Sequence, residues 1–353
     1  MTEPVAKPNS PYANLDSTAF WRTAVADRHP FDIERLYRPK YKLKRSDSIA
    51  TAGSCFAQEI GWRLRRAGIE VVDTEAVPPS AWTPDLSQYG FGMFSARYGN
   101  IYTPRELLQC WLEAIGEFEP AEPVWERDGR YYDALRPGVE PNGLATPEAV
   151  LESRRRHLRR LVKGYSGASV FLFTFGLTET WEHAASGTVY QTAPGTIAGD
   201  FDPAVFRLNN LTFNDCFDDF MSFRESLKSI NPNVRFIVTV SPGQNIVTAT
   251  DNHVLCASTY AKAVLRAVAG QLAADCDDID YFPSYDLCAL STTRGFFYKP
   301  NARGAHNAGV DFVMKTFFDA HGIGFEPDSG SSSGDAREGN QIVCEEVLLE
   351  AFS

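Results

Sequence analysis

The amino-acid sequence predicts an α/β fold built on a mostly parallel sheet. After residue 47, short apolar runs alternate with stretches of helical period, as in a chain that packs helices on the faces of a sheet. The run VFLFTF at 170–175 is apolar without interruption, which is typical of a strand buried on both faces, and RFIVTV at 235–240 predicts the next such strand. The segment 48–72 reads as strand, sharp turn, helix and strand, the start of a βαβ unit.

Each element of this first unit follows from its residues. The apolar run SIATA at 48–52 predicts a strand that ends at Gly53. In the following stretch, apolar residues recur at every third or fourth position, which predicts a helix with Gly68 as its C-cap. The run IEVV at 69–72 predicts the second strand.

Similar signals predict the remaining elements. Thr103 to Glu106 form a capping box with proline at the first helical position, which indicates a helix start. The other predicted elements are helices at 146–162, 217–230, 261–272 and 310–318, a last strand at 280–284, long loops at 73–100 and 184–213, and an insertion at 116–145.

Composition limits the classes of partner and cofactor. The chain has 353 residues, a formal net charge of −11 and no basic block large enough to suggest binding to a phosphate backbone, which argues against a nucleic-acid partner. It has no apolar stretch of membrane-spanning length and no secretory signal, so we expect no membrane span and a cytoplasmic location. The seven cysteines lack a C-x-x-C pair and the six histidines lack a metal-binding spacing, so no disulfide framework, metal or redox cofactor is predicted.

The chain divides into four predicted segments. Residues 1–47 form an N-terminal arm and lead-in segment, and residues 48–322 form the α/β domain. Residues 323–340 have the composition of a flexible linker. Residues 341–353 form a short amphipathic, acidic segment, for which we favour docking on the body of the protein. The alternative is a peptide that binds a protein partner.

Ser54 is the leading candidate for a nucleophile. Ligands of open α/β sheets bind outside the carboxyl ends of the strands, and Ser54 follows Gly53 where the first strand turns into a helix. The N-terminus of that helix favours developing negative charge. One alternative is that Ser54 is only an N-cap residue. Another is Cys55 as the nucleophile, although a small buried side chain is the simpler interpretation of that cysteine.

A nucleophile of this kind also needs oxyanion donors. Gly99 and Asn100, just before the capped helix, offer a backbone N–H and a side-chain amide. Gly176 and Thr178, at the end of the VFLFTF strand, offer further donors. Glycine at a strand end is also ordinary turn chemistry, so neither pair is specific alone.

Several residues are candidates for the base. His306 begins the last helix, and His253 precedes the helix that follows the Ser-Pro-Gly turn, so either histidine could face the same sheet edge as Ser54. Glu179 and His183 lie four residues apart after the VFLFTF strand and could share a site. Each histidine could equally be a capping or surface residue.

Several blocks of sequence together resemble one known family. Residues 52–57 (AGSCFA) contain the motif GSCFA, and the further blocks follow in order: FSARYGNIYTPREL (94–107), FTFGLTETWEHAASGTVYQTAPGTIAG (173–199), VTVSPG (238–243), TYAKAVLRAVAG (259–270) and YFPSYD (281–286). They resemble the bacterial GSCFA family over about 48–320, most of the chain.

GSCFA proteins are similar to SGNH/GDSL hydrolases, so the resemblance implies a three-layer, flavodoxin-like sandwich with loop insertions. It implies that Ser54 is the nucleophile and that Gly99 is the second-block glycine of an oxyanion hole. The third block, G-x-N-D in that group, falls on 176–179, with Thr178 in place of the asparagine. The D-x-x-H motif that supplies the base has no match here, so another histidine, with His306 favoured, would have to substitute.

These observations predict a serine ester hydrolase or O-acyltransferase that acts on a small acyl group of a carbohydrate or similar polar substrate. Backbone N–H groups of Ser54 and Gly99 would hold the oxyanion. The alternative is a non-catalytic ligand-binding or scaffold protein that keeps the SGNH fold, which the missing D-x-x-H motif favours. A histidine within hydrogen-bond reach of Ser54 would distinguish the two.

Overall fold

The computed structural model describes residues 10–77, 86–289, 295–325 and 348–349. Its central sheet has five parallel strands, in the spatial order β2–β1–β5–β9–β10. The strands are β1 (Ser48–Gly53), β2 (Glu70–Val71), β5 (Val170–Phe175), β9 (Arg235–Val240) and β10 (Ile279–Phe282). The order is flavodoxin-like, which confirms the predicted α/β class.

Helices cover both faces of this sheet. They are α1 (Cys55–Arg66), α2 (Pro104–Ala114), α3 (Pro147–Gly167), α4 (Phe213–Ile230), α5 (Val254–Asp275), α6 (Ser284–Ala289) and α7 (Asn307–His321). Alternate residues of β5 enter different cores: Phe171 and Phe173 pack in the core with α2 to α5, and Val170 and Leu172 pack in the core with α1 and α7. The fold is therefore a three-layer sandwich.

Two antiparallel elements are inserted into this plan. A hairpin of β3 (Val124–Arg127) and β4 (Arg130–Asp133) lies within the predicted insertion. The predicted long loop at 184–213 is wrong, because β6 (Glu179–His183) pairs with both β7 (Val189–Tyr190) and β8 (Phe206–Asn210) in a small antiparallel sheet. Its strands are short, β6 is mostly polar, and β8 lies more than twenty residues from β6 in the chain.

Local signals set several boundaries. The capping box is confirmed, since Thr103 and Glu106 exchange both of its hydrogen bonds. The last strand ends at Phe282 rather than at the predicted residue 284, because Pro283 lacks the N–H that a ladder needs and α6 begins at Ser284. Helix α7 ends at a left-handed Gly322, close to its predicted end.

The terminal segments are described in part. In the lead-in segment, Tyr37 and Leu43 are buried in the same core as α7. Most of the predicted linker and docking segment lies outside the described residues, apart from Leu348 and Leu349, so the four segment boundaries stay predictions. Among the helices that the structure describes, none is long and apolar enough to cross a membrane.

The strand order determines where a ligand site is expected. The chain adds β2 on one side of β1 and β5 on the other, so the connections after β1 and β5 leave the sheet in opposite directions. Ligands of such sheets bind in the crevice at this switch point. Ser54 follows β1 and Gly176 follows β5, so both lie at that edge.

Candidate active site

The Ser54 hydroxyl is buried and is not used as a helix cap. Ser54 is the N-cap residue of α1, but its side chain makes no capping hydrogen bond. The residue is 2 % exposed. Its Oγ is shielded from solvent and has no hydrogen-bond partner among the described residues. A buried hydroxyl without a partner costs about 1–3 kcal/mol, so the simple capping interpretation does not explain this side chain.

The turn that carries Ser54 is tightly packed against the end of β5. Gly53 has φ +132°, and a Cβ there would lie 2.5 Å from the carbonyl oxygen of Thr174. The backbone N–H of Ser54 donates to the same carbonyl at 3.1 Å. A Cβ on Gly176 would lie 3.1 Å from the Cβ of Ser54 and 3.2 Å from the carbonyl oxygen of Tyr102. Glycine is thus required for the two strand ends to approach.

Three of the predicted oxyanion donors are already engaged. The N–H of Ser54 bonds Thr174, as described, and the N–H of Gly176 donates to the Tyr102 carbonyl at 2.9 Å. The hydroxyl of Thr178 donates to Oδ1 of Asn210 at 2.7 Å. These three groups already donate hydrogen bonds within the protein, which corrects their predicted role as oxyanion donors. Their positions in the sequence could not show that neighbouring strands and loops accept these hydrogen bonds.

Gly99 and Asn100 lie near the start of α1. Gly99 has φ +73°, a conformation that favours glycine. Asn100 is buried, and its Oδ1 accepts from Nε2 of Gln58, one helical turn after Ser54, at 3.1 Å. Its carbonyl accepts from the side-chain amide of Gln191. Two glutamine amides therefore fix Asn100, and the oxyanion role of Gly99 and Asn100 stays a prediction.

The candidate histidines are all bound locally. His306 is the N-cap of α7: its Nδ1 accepts from the N–H of Gly309 at 3.2 Å, and its Nε2 bonds the carbonyl of Phe296. His253 caps α5 through Nδ1. His183 bonds Ser186 at 2.9 Å. The capping alternative thus describes His306 and His253, and no described histidine bonds Ser54.

Glu179 and His183 do not share a site. They lie at the two ends of β6, and the rise of a strand separates them by ~13 Å. Glu179 accepts from the hydroxyl of Thr248 at 2.7 Å and from the N–H of Ala249 at 3.0 Å. The spacing of four that brings helix residues together keeps these strand residues apart.

A cleft of about 480 Å³ lies beside Leu177, which follows Gly176, and we call it the side cleft. Its lining includes Tyr102, Leu177, Trp181 and Tyr190 of the antiparallel sheet, and Phe201. Leu349, near the C-terminus, also lines it. The side cleft is thus an aromatic-walled space near the carboxyl end of β5.

Four buried polar atoms that lack partners among the described residues belong to side chains that line the side cleft. They are Thr180 Oγ1, Gln191 Oε1, Thr192 Oγ1 and Asn245 Oδ1. Buried polar groups are normally hydrogen-bonded, so a cluster of exceptions beside one cleft sets this part of the molecule apart. Sequence reasoning missed these residues, because only the fold brings them together.

A buried ionic network lies behind Asn100. Asp133 is paired with Arg136 at 2.7 Å and with Arg154 at 2.8 Å, and Arg154 also pairs with Glu113. Burial alone would raise the pKa of Asp133, but the two arginines lower it below its usual value. Three members of this network, Glu113, Arg136 and Arg154, line a cavity of about 30 Å³ together with Asn100.

Lys262 is a further residue that sequence reasoning missed. It is 1 % exposed on α5, and its Nζ donates to the carbonyl of Gly176 at 2.7 Å. The signal was present, because Lys262 interrupts the apolar stripe that includes Ala261 and Leu265. No group of three or more histidine, cysteine or acidic side chains in the described ranges could hold a metal ion.

Comparisons with known proteins identify the family. A solved structure of a carbohydrate esterase family 3 protein from Talaromyces cellulolyticus is similar, with 9 % identity, a TM-score of 0.35, and coverage of 77 % of this chain and 94 % of that one. No curated protein matches the chain. The model of the GSCFA family matches residues 48–317. This match covers most of the chain and includes the Ser54 turn, and the chain therefore belongs to the GSCFA family.

Proposed function

We propose that this protein is a serine ester hydrolase that removes a small acyl group from a carbohydrate or a similar polar substrate. The observation that carries the proposal is the Ser54 hydroxyl, which is buried at the switch point of the sheet and lacks a partner among the described residues. A hydroxyl at this position can attack an acyl carbonyl without first breaking a hydrogen bond.

The surroundings of Ser54 support the charge changes of acyl transfer. Attack by Oγ creates an oxyanion, which the N-terminus of α1 stabilises electrostatically. We assign the direct donors to Gly99 and Asn100, which the glutamine bonds hold near this turn. Water then hydrolyses the acyl-enzyme. Transfer to a second hydroxyl instead of water would make the same protein an O-acyltransferase.

The side cleft supports a hydroxyl-bearing substrate. Its unpartnered threonine, glutamine and asparagine oxygens can accept hydrogen bonds from sugar hydroxyls, and each unmade bond of this kind costs about 1–3 kcal/mol. The aromatic rings of Trp181 and Tyr190 offer apolar walls for the carbon skeleton. A carbohydrate has hydroxyl groups that match the polar oxygens and a carbon skeleton that matches the aromatic walls.

One observation favours the alternative, a binding or scaffold protein without chemistry. Ser54 Oγ is shielded from solvent, and His306 uses both ring nitrogens in local bonds. A protein of this kind would use the side cleft for its ligand and would not react at Ser54.

Labelling with a fluorophosphonate probe tests the proposal. We expect wild-type protein to be labelled and Ser54→Ala to be unlabelled. Ser241→Ala is the matched control, because Ser241 is also a buried serine at the carboxyl end of a strand but accepts a hydrogen bond from Gly243. Labelling that survives in Ser54→Ala would refute the role of Ser54.

An unlabelled wild type would support the binding protein instead. In that case, calorimetric titration with acetylated and deacetylated oligosaccharides would test the side cleft directly. If labelling succeeds, product analysis with acetylated sugars, with and without a second sugar as acceptor, separates hydrolysis from transfer.

A further inference from the structure

A lysine amine lies in the core of the protein beside the candidate nucleophile. Lys262 is on the buried face of α5, and lysine is almost never fully buried unless it is paired. An ammonium is costly to bury unless hydrogen bonds or opposite charges offset its loss of solvent. The position of Lys262 therefore calls for a specific role.

The Lys262 amine and the Ser54 side chain both lie close to Gly176. Lys262 Nζ bonds the Gly176 carbonyl at 2.7 Å. A Cβ on Gly176 would lie 3.1 Å from the Cβ of Ser54. Ser54 Oγ has no hydrogen-bond partner among the described residues, so no hydrogen bond fixes its rotamer.

We propose that Lys262 is the proton acceptor for Ser54, in place of the histidine that a D-x-x-H motif would supply. The inference rests on the proposed ester hydrolase. The lone pair of Nζ takes the Oγ proton while Oγ forms a bond to the acyl carbon and the carbonyl π electrons move to oxygen. On collapse, the ester C–O bond breaks and the leaving alkoxide takes the proton back from Nζ. Serine–lysine pairs are an established variant of serine catalysis.

The residues before α7 support this assignment. Arg303 stands three residues before His306, where an aspartate would orient a catalytic histidine, and its Nε donates to the carbonyl of Gln244 at 3.0 Å. An arginine cannot accept a hydrogen bond from an imidazole N–H. His306 is thus left as a helix cap.

Other charged groups on the elements around this edge have their own partners. Glu106 of α2 accepts from the N–H of Tyr102 at 2.6 Å. Glu179 of β6 accepts from Thr248 and Ala249. Asp219 of α4 pairs with Arg105 at 2.8 Å. His253 caps the start of α5 itself.

Two variants separate a proton acceptor from a structural cation. Lys262→Met removes the amine, whereas Lys262→Arg keeps a donor for the Gly176 carbonyl but cannot act as a base. We expect both to lower the fluorophosphonate labelling rate by on the order of 10²–10⁴-fold. Arg266→Met, one turn further along α5, removes a cation paired with Asp286 and should keep the wild-type rate.

Retention of the wild-type rate by Lys262→Arg or Lys262→Met, with wild type labelled, overturns this proposal alone. An unlabelled wild type overturns the hydrolase and the proton acceptor together. If circular dichroism shows that both variants are unfolded, NMR of ¹⁵N-lysine wild type decides. A buried amine that becomes neutral well below about pH 10 supports the proposal, and an ammonium that persists to that pH overturns it.

Discussion

Replacing Gly53 by alanine tests whether close packing between the ends of β1 and β5 holds the Ser54 turn. Gly53 combines two constraints: a positive φ of +132° and a neighbouring backbone carbonyl 2.5 Å from where a Cβ would lie. That neighbour, Thr174, is paired with Gly53 in the sheet and cannot swing away as a flexible side chain could.

The two constraints give separate costs. A side chain at an unfavourable φ costs about 1–3 kcal/mol. Inserting a carbon into a packed region costs about 1–3 kcal/mol more. We therefore expect Gly53→Ala to lower the free energy of unfolding by about 2–6 kcal/mol. Gly92 has φ +68° with nothing within 4 Å of a Cβ, so Gly92→Ala should show only the conformational cost, about 1–2 kcal/mol.

Urea unfolding followed by far-UV circular dichroism measures both losses. Equal losses for Gly53→Ala and Gly92→Ala would refute the argument, because the contact with Thr174 would then add nothing. The same Gly53→Ala protein, tested in the range of urea where it stays folded, should label more slowly at Ser54, since the turn must shift to admit the Cβ.

Three further predictions concern side chains away from the Ser54 turn. Burial lowers the pKa of His157 to about 4 from its usual 6.5, so stability should fall as the pH drops through this range, by on the order of 3 kcal/mol. Burial lowers the pKa of His321 to about 4 as well, so His157→Gln should reduce this pH dependence without abolishing it. Unfolding measured at about pH 7 and about pH 5 checks this, and an unchanged slope would contradict the assignment. Arg154→Met leaves Glu113 without its buried partner, and we expect the free energy of unfolding to fall by about 3–5 kcal/mol. Adding Glu113→Gln to this variant should restore part of that loss. Additive losses in this double-mutant cycle would exclude coupling between the two side chains. Leu349→Ala should lower the Tm more than Leu348→Ala, because Leu349 lines the side cleft and Leu348 is 49 % exposed. Equal shifts in Tm would argue against docking of the C-terminal segment on the body of the protein.

The parallel sheet could be predicted because its strands are buried on both faces. Every residue from Val170 to Phe175 is buried, so nearly all of its side chains must be apolar. This requirement is visible in the sequence as an apolar run. The antiparallel sheet could not be predicted in the same way. Alternate residues of β6 are only half-buried, and it pairs with β8 more than twenty residues away, so cross-strand contacts determine its structure.

The candidate site was predictable only in part. The Ser54 turn could be found because strand, glycine and helix signals meet there in sequence. The base could not, because a histidine at a helix start looks the same whether it caps the helix, as His306 does, or serves catalysis. Lys262 does interrupt an apolar stripe, but that signal shows only an unusual residue on a core face and does not show which strand end it contacts.

The pairing of β1 with β5 also determines when the site can form. Ile49 pairs with Val71 nearby but also with Val170, and closing the second, longer loop costs about 1.5 kcal/mol more by loop-length scaling. During synthesis at about 5–20 residues per second, Thr174 is made ~6–24 s after Ser54. Until then β1 lacks its inner neighbour, so the nascent chain exposes an unpaired apolar strand edge that a ribosome-bound chaperone would be suited to cover.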